Sequence, residues 1–363
     1  MFYNLIYKQL SSSLSCFNVF QYVTVRSMCA FLVAFFAMVL TGSKFINFIK
    51  KFQKNGQPIR DDGPQNHIDT KQGTPTMGGL LIISATIISS VLFGDLTNEK
   101  LILSLLVFAS FGMIGAFDDY KKVSKQDYHG LSGKKKLIMQ SLISVACVLV
   151  FIKLTDQPNI TKVFIPLFKN FEIDLGVLFL VWSVFVMVGS SNAVNFTDGL
   201  DGLVIGPVIT TSISFAIISY LAGNVIFSDY LHMAYIPGLE EVCIFLSSLV
   251  GASLGFMWFN APPAKIFMGD TGSVAIGGVL GFISIISKHE FIYVVIGGIF
   301  VIETLSVIVQ VMSYKLTKKR VFLMAPIHHH FEKKGLAEST VVFRFWIISI
   351  VLAIVGLALV KVR

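Results

Sequence analysis

Apolar runs of about 20 residues recur along this chain almost from one end to the other, and no other feature limits its fold so strongly. A helix of that length crosses about 30 Å of hydrocarbon, where only a backbone that satisfies its own hydrogen bonds is stable. Ten such runs are expected to span a bilayer, at roughly 22–41, 74–93, 101–117, 136–154, 175–194, 200–221, 240–259, 272–287, 291–314 and 341–360. The sixth contains Pro207 and the eighth is short. Only 14% of the 363 residues are charged, against about 25% in a soluble domain, which excludes a soluble globular enzyme. Cys16, Cys29, Cys147 and Cys243 are far apart and at no zinc-ligand spacing, so neither a disulfide framework nor a structural metal is expected. The expected fold is an all-α polytopic membrane bundle of about ten helices. Residues 1–21 form an external N-terminal segment and residues 22–361 a single transmembrane domain.

The net charge of +8 sits between the apolar runs, a membrane pattern and not a nucleic-acid-binding one. Lys and Arg favour the cytoplasmic side. The odd-numbered loops hold 20 of the 29, with six in each of the first and third and seven in the ninth. That places the odd loops in the cytoplasm and both termini in the periplasm, which requires an even number of spans. Between the fourth and fifth runs, residues 156–174 alternate apolar positions (Val163, Ile165, Leu167) between prolines. A small external hairpin and an irregular loop explain them equally.

Acidic residues are costly near hydrocarbon, so their placement is informative. Asp118 and Asp119 follow the third run directly. Two adjacent carboxylates at a helix C-terminus oppose its dipole and each other, and call for a cation nearby. A solvated loop start beside Lys121 and Lys122 would also account for them. Asn192, Asn195, Asp198 and Asp201 recur every three residues, with Gly199 and Gly202 among them. Helix capping explains one or two of these but not four on one rail. Asp270 lies between Gly269 and Gly272 in Trp258-Phe-Asn-Ala-Pro-Pro-Ala-Lys-Ile-Phe-Met-Gly-Asp-Thr-Gly-Ser273, where a helix N-terminus offers N–H groups to an anion; a tight capped loop is the plainer alternative. His328, His329 and His330 are consecutive, so they cannot all ligate one metal, and they suit hydrogen bonding to phosphate or sugar oxygens unless they are an idle surface run.

No Walker loop and no G-x-G-x-x-G occurs, so a soluble-type nucleotide fold is absent. Any phosphate would be held by a metal, by Lys71 or Lys134, and by helix N-termini. Carboxylates, lysines, asparagines and histidines at the helix ends of one face meet the needs of metal-assisted phosphoryl transfer. An ion-coupled transporter would instead place them near the bilayer midplane.

Gly73-Thr-Pro-Thr-Met-Gly-Gly79, Asp118-Asp119-Tyr120, Asn195-Phe-Thr-Asp-Gly-Leu-Asp-Gly202, Phe267-Met-Gly-Asp-Thr-Gly-Ser273 and Ala325-Pro-Ile-His-His-His-Phe-Glu332 occur in this order. Together they resemble the bacterial phospho-N-acetylmuramoyl-pentapeptide-transferase family, a branch of the polyprenyl-phosphate sugar-1-phosphate transferases, over nearly the whole chain from about Phe17. Phe196 and Ala261-Pro262 depart from the family's pattern, outside the acidic and histidine positions. The resemblance implies an enzyme of the bacterial cytoplasmic (inner) membrane that serves peptidoglycan synthesis. In its reaction undecaprenyl phosphate attacks the sugar-side phosphate of UDP-N-acetylmuramoyl-pentapeptide, giving lipid I and UMP, with Mg²⁺ as cofactor. It further implies that Asp270 binds Mg²⁺ and that Asp118 is a general base or orients the lipid phosphate, with Asp119 beside it. Asn195, Asp198 and Asp201 would bind the nucleotide or support the site. Lys71, Lys134, Asn260, His328 and His329 would contact phosphate, sugar or uracil, with Thr76, Asn192 and His330 in the same substrate-binding set. A sibling enzyme that transfers N-acetylglucosamine-1-phosphate shares the acidic motifs, so the histidine loop discriminates. Membrane lipids are expected around the bundle, and its lipid-facing apolar surfaces allow a homodimer.

Overall fold

The computed structural model describes residues 3, 15–53, 56, 73–125, 130–155, 160–166 and 172–361. Among these, a 3-10 turn at Ser15–Gln21 precedes α1 (Val23–Phe52), α2 (Gly79–Phe93), α3 (Glu99–Lys125) and α4 (Gly133–Leu154). Strands β1 (Lys162–Phe164) and β2 (Glu172–Asp174) follow, then α5 (Leu178–Thr197), α6 (Ile205–Ala222), α7 (Val225–Leu231) and α8 (Val242–Asn260). The chain continues through α9 (Gly269–Ile286), α10 (Glu290–Ile296), α11 (Gly298–Thr317), α12 (Ile327–Lys333) and α13 (Glu338–Lys361). Nine described helices are long and apolar enough to cross a membrane, and α2 is a shorter apolar helix of 15 residues. The protein is an all-α polytopic membrane protein.

Helix α9 is the axis of the bundle, with nearly every side chain buried, and it packs on α3 and α5. Lipid tails are as apolar as leucine, so helices in a membrane associate by close packing and small residues mark their contacts. Gly277 and Gly281 form such a contact. A Cβ on Gly277 would lie 2.6 Å from the Ser190 carbonyl oxygen, and one on Gly281 would lie 2.9 Å from the Met187 Cα. Outside this axis, α8 packs on α1 and α6, and α13 packs on α6 and α10.

Three expected boundaries shift for identifiable reasons. Helix α3 does not stop at Phe117 but runs to Lys125, carried past the apolar run by charged residues that include the Asp118–Lys122 pair at i,i+4. Pro207 sits in the first turn of α6, where its missing N–H has no intrahelical partner to lose. The ninth run, expected as one helix over 291–314, is two: the Gly297-Gly298 pair interrupts it, separating α10 from α11. The segment before α5 is a hairpin, with Lys162 opposite Asp174 and Val163 opposite Ile173; Leu167 lies outside the described residues.

Candidate active site

One end of the bundle gathers the acidic motifs. Asp118 and Asp119 project from α3 and Asp270 from the first turn of α9, and a carboxylate oxygen of each lies within 4.8 Å of the others. The helices can meet there because Gly115 of α3 faces the Asp270 carbonyl oxygen, which any Cβ would overlap. Asp119 is fully buried and accepts from the N–H groups of Asp270 (3.1 Å) and Thr271 (2.9 Å) and from Thr271 Oγ1 (2.7 Å). It thereby caps the start of α9, where a carboxylate satisfies free N–H groups and matches the helix dipole. Gly269 has a φ of 73°, and a Cβ there would lie 2.5 Å from both Asp119 Oδ2 and Thr76 Oγ1; glycine alone fits this turn.

Two lysines neutralise part of the charge. Lys122 Nζ lies 2.7 Å from Asp118 Oδ2 and 3.1 Å from Asp270 Oδ2, and Lys136 Nζ lies 2.6 Å from the same Asp270 oxygen. Asp118 Oδ1 also accepts from the Leu131 N–H at 2.5 Å. Three carboxylates therefore face two ammonium groups. Oxygen donors at this density suit a hard divalent cation such as Mg²⁺, and the surplus negative charge leaves room for one.

Around this centre the other expected residues take distinct places. Thr76 is buried, its N–H donates to Gln53 Oε1 (2.9 Å), and its hydroxyl has no hydrogen-bond partner among the described residues. The segment carrying it lies along the loop before α9, with Phe267 N–H on the Pro75 carbonyl and Gly78 N–H on the Phe267 carbonyl, each at 2.9 Å. Asn195 Nδ2 donates to Ser273 Oγ of α9 (3.1 Å), and Asn192 Nδ2 to Gln140 Oε1 of α4 (2.9 Å). Asp201 Oδ2 accepts from Ala264 N–H (2.9 Å), and Asn260 Oδ1 accepts from Gly202 N–H (3.0 Å) while its Nδ2 donates to the Ile266 carbonyl (2.9 Å). Asp198 closes the end of α5. Asn260 and Asp201 thus stitch the turn after α5 to the loop after α8.

The histidines lie on α12. His328 is fully enclosed, with Nδ1 3.1 Å from Glu303 Oε1. His329 Nδ1 lies 2.6 Å from Glu332 Oε2, and His330 Nδ1 accepts from the Leu323 N–H at 3.1 Å. Lys71 lies outside the described residues. Lys134 is exposed on the first turn of α4, one residue beyond its start, whereas Lys136 points to Asp270. Sequence reasoning missed Lys122, Lys136 and Glu303. The Asp118–Lys122 spacing and the presence of a carboxylate within an apolar span were available signals for two of them.

Residues 101–288 match the family described as Glycosyl transferase family 4, and residues 71–83 match phospho-N-acetylmuramoyl-pentapeptide-transferase signature 1. A phospho-N-acetylmuramoyl-pentapeptide-transferase of Rickettsia rickettsii (strain Sheila Smith) is 51% identical over 364 residues, and one of Pelagibacter ubique (strain HTCC1062) is 52% identical over 363. Each similarity covers 100% of both chains.

Proposed function

Because the chain belongs to the phospho-N-acetylmuramoyl-pentapeptide-transferases of glycosyl transferase family 4, we propose that it makes lipid I and UMP from UDP-N-acetylmuramoyl-pentapeptide and undecaprenyl phosphate. The carrying observation is the cluster of Asp118, Asp119 and Asp270, with more carboxylates than the two lysines neutralise. Asp270 and Asp118 would hold Mg²⁺, which when bound supplies charge neutralisation to the diphosphate oxygens. Asp119 keeps the first turn of α9 in place and thereby aims Asp270.

In the transfer an oxygen of the lipid phosphate bonds to the sugar-side phosphorus as the bond from that phosphorus to the bridging oxygen breaks, and UMP carries that oxygen away. Asp118 is placed to orient the attacking phosphate or to take its proton. Lys122 and Lys136, each on a long flexible stem, can exchange a carboxylate for a phosphate oxygen as negative charge arrives. The rail from Asn192 to Asp201, with Asn260, holds the nucleotide side, and Lys71, Lys134, Thr76 and the histidine loop contribute further polar groups. The excess of Lys and Arg in the odd-numbered loops supports a cytoplasmic position for this end of the bundle, and membership of the family supports the bacterial inner membrane, where the lipid substrate would reside. Exposed apolar residues such as Leu142, Phe185 and Ile347 face lipid or a second copy of the chain.

The test is UMP release by detergent-solubilised protein with Mg²⁺ and undecaprenyl phosphate. UDP-N-acetylmuramoyl-pentapeptide and UDP-N-acetylglucosamine are compared in parallel, with EDTA as a control. Release from the first substrate alone, abolished by EDTA, is expected. Release from the second alone would overturn the substrate, turnover in EDTA would overturn the metal, and lipid-dependent release from neither would favour a transporter.

A further inference from the structure

Glu303 lies in α11, within a membrane-spanning segment, and its side chain has no exposure. A carboxylate taken out of water costs several kcal/mol unless a partner compensates it. The group facing it is His328, equally enclosed, with Nδ1 3.1 Å from Glu303 Oε1. His328 is brought there by α12, whose Ile327 and Phe331 pack against Leu200, Leu203, Ile299 and Phe345. The opposite side of the ring presses on the turn after α5, where a Cβ on Gly199 would overlap His328 Nε2. Glu303, His328 and Gly199 therefore form one line, from the bundle interior to the turn that carries Asp198 and Asp201.

An apolar side chain could fill this space at no desolvation cost. Two polar side chains that meet at ion-pair distance, with no hydrogen bond to any of their four nitrogen and oxygen atoms among the described residues, are an expensive filling. What they add is orientation, because a carboxylate against one ring nitrogen fixes both the tautomer and the direction of the other. We propose that Glu303 is a positioning residue for the transfer reaction. Its carboxylate lies 3.1 Å from His328 Nδ1 and holds the ring by this close charge contact, and the ring so held braces the Asn195–Asp201 rail against which the nucleotide sugar is held. This rests on the reading of that rail as the nucleotide-sugar site. The lysine and Thr271 contacts of the aspartate cluster do not involve Glu303, so its loss falls on substrate binding more than on chemistry.

Steady-state UMP release tests this with full-length wild type, Glu303→Gln, His328→Gln and the double variant, each checked for an unchanged melting temperature. Glu303→Gln is expected to raise the KM for UDP-N-acetylmuramoyl-pentapeptide about tenfold, or about 1.4 kcal/mol. Its kcat should stay within about threefold and its KM for undecaprenyl phosphate should not change. The double variant should be no worse than His328→Gln, since both changes break one line. A fall in kcat at constant KM, or effects that multiply in the double variant, would overturn the proposal. Should Glu303→Gln not fold, Gly199→Ala displaces the same ring from its other side: a raised nucleotide-sugar KM supports the brace and an unchanged one refutes it. Absence of turnover in the wild type would strike the functional reading itself, whereas wild-type turnover with an unaltered KM in Glu303→Gln would strike only this inference.

Discussion

Helices α1, α2 and α8 run between two clusters of buried charge, and the clusters are built on opposite rules. At the end away from the candidate active site, Arg26 meets Glu241 in a bidentate pair. Its two terminal nitrogens reach the two carboxylate oxygens at 2.8 and 2.5 Å, and Asp95 N–H donates to Glu241 Oε2 at 3.0 Å. At the other end three carboxylates share two lysines, and Lys122 and Lys136 converge on a single oxygen of Asp270. A bidentate pair of one cation and one carboxylate satisfies its two terminal nitrogens and both carboxylate oxygens and holds helices together. An unbalanced cluster retains electrostatic demand, which a divalent cation and a diphosphate can meet together. Under the proposed function, buried charge alone does not mark the site; the excess of carboxylates over lysines at the aspartate cluster does.

The contrast can be broken by exchanging the consequences of mutation. Asp270→Asn should lower UMP release about 10³-fold or more while the melting temperature changes little, because it removes charge stabilisation that the reaction uses; near-normal turnover would end the catalytic assignment. Glu241→Ala should do the converse. Leaving Arg26 buried and unpaired costs about 3–5 kcal/mol of stability, read as a lower melting temperature in detergent, while turnover per folded molecule stays near wild type. The double change Arg26→Met, Glu241→Leu should recover much of that loss, as apolar replacements of buried pairs do.

Smaller effects sharpen the active end. Lys136→Met removes a charge-assisted contact to Asp270 and should reduce kcat/KM by about 10- to 100-fold. Lys134→Met, two residues away and exposed, should cost about threefold or less. A larger loss for Lys134 than for Lys136 would transfer the phosphate-facing role to the exposed residue.

That pair also shows where sequence reading stops. The spans were legible because hydropathy and length are properties of a segment, and the acidic motifs because carboxylates beside hydrocarbon are rare enough to notice. Which of three successive lysines faces Asp270 depends on the rotation of α4 against α9. Successive helical positions point about 100° apart, and no periodic signal in Lys134-Lys135-Lys136 fixes that rotation. The interruption at Gly297 was hidden in an otherwise continuous apolar run. Glu303 was visible in principle, since an ionisable residue within a span carries a functional expectation by default. Its partner was not, because His328 reaches it only through the packing of α12. Asp118 and Asp119 read as a helix end because the apolar run stops at Phe117, yet Lys122 and Lys125 extend α3 beyond them and Lys122 supplies the cation that the pair required.

The central claim, that the unbalanced cluster is the cation centre and the balanced one is not, is tested most directly by titrating purified protein with Mn²⁺ and reading free metal by electron paramagnetic resonance. Wild type, Asp270→Asn and Glu241→Gln are compared in the presence of UDP. The account predicts saturable Mn²⁺ binding in wild type and in Glu241→Gln, and its loss or at least tenfold weakening in Asp270→Asn, by about 1.4 kcal/mol or more. Equal binding by wild type and Asp270→Asn would contradict it.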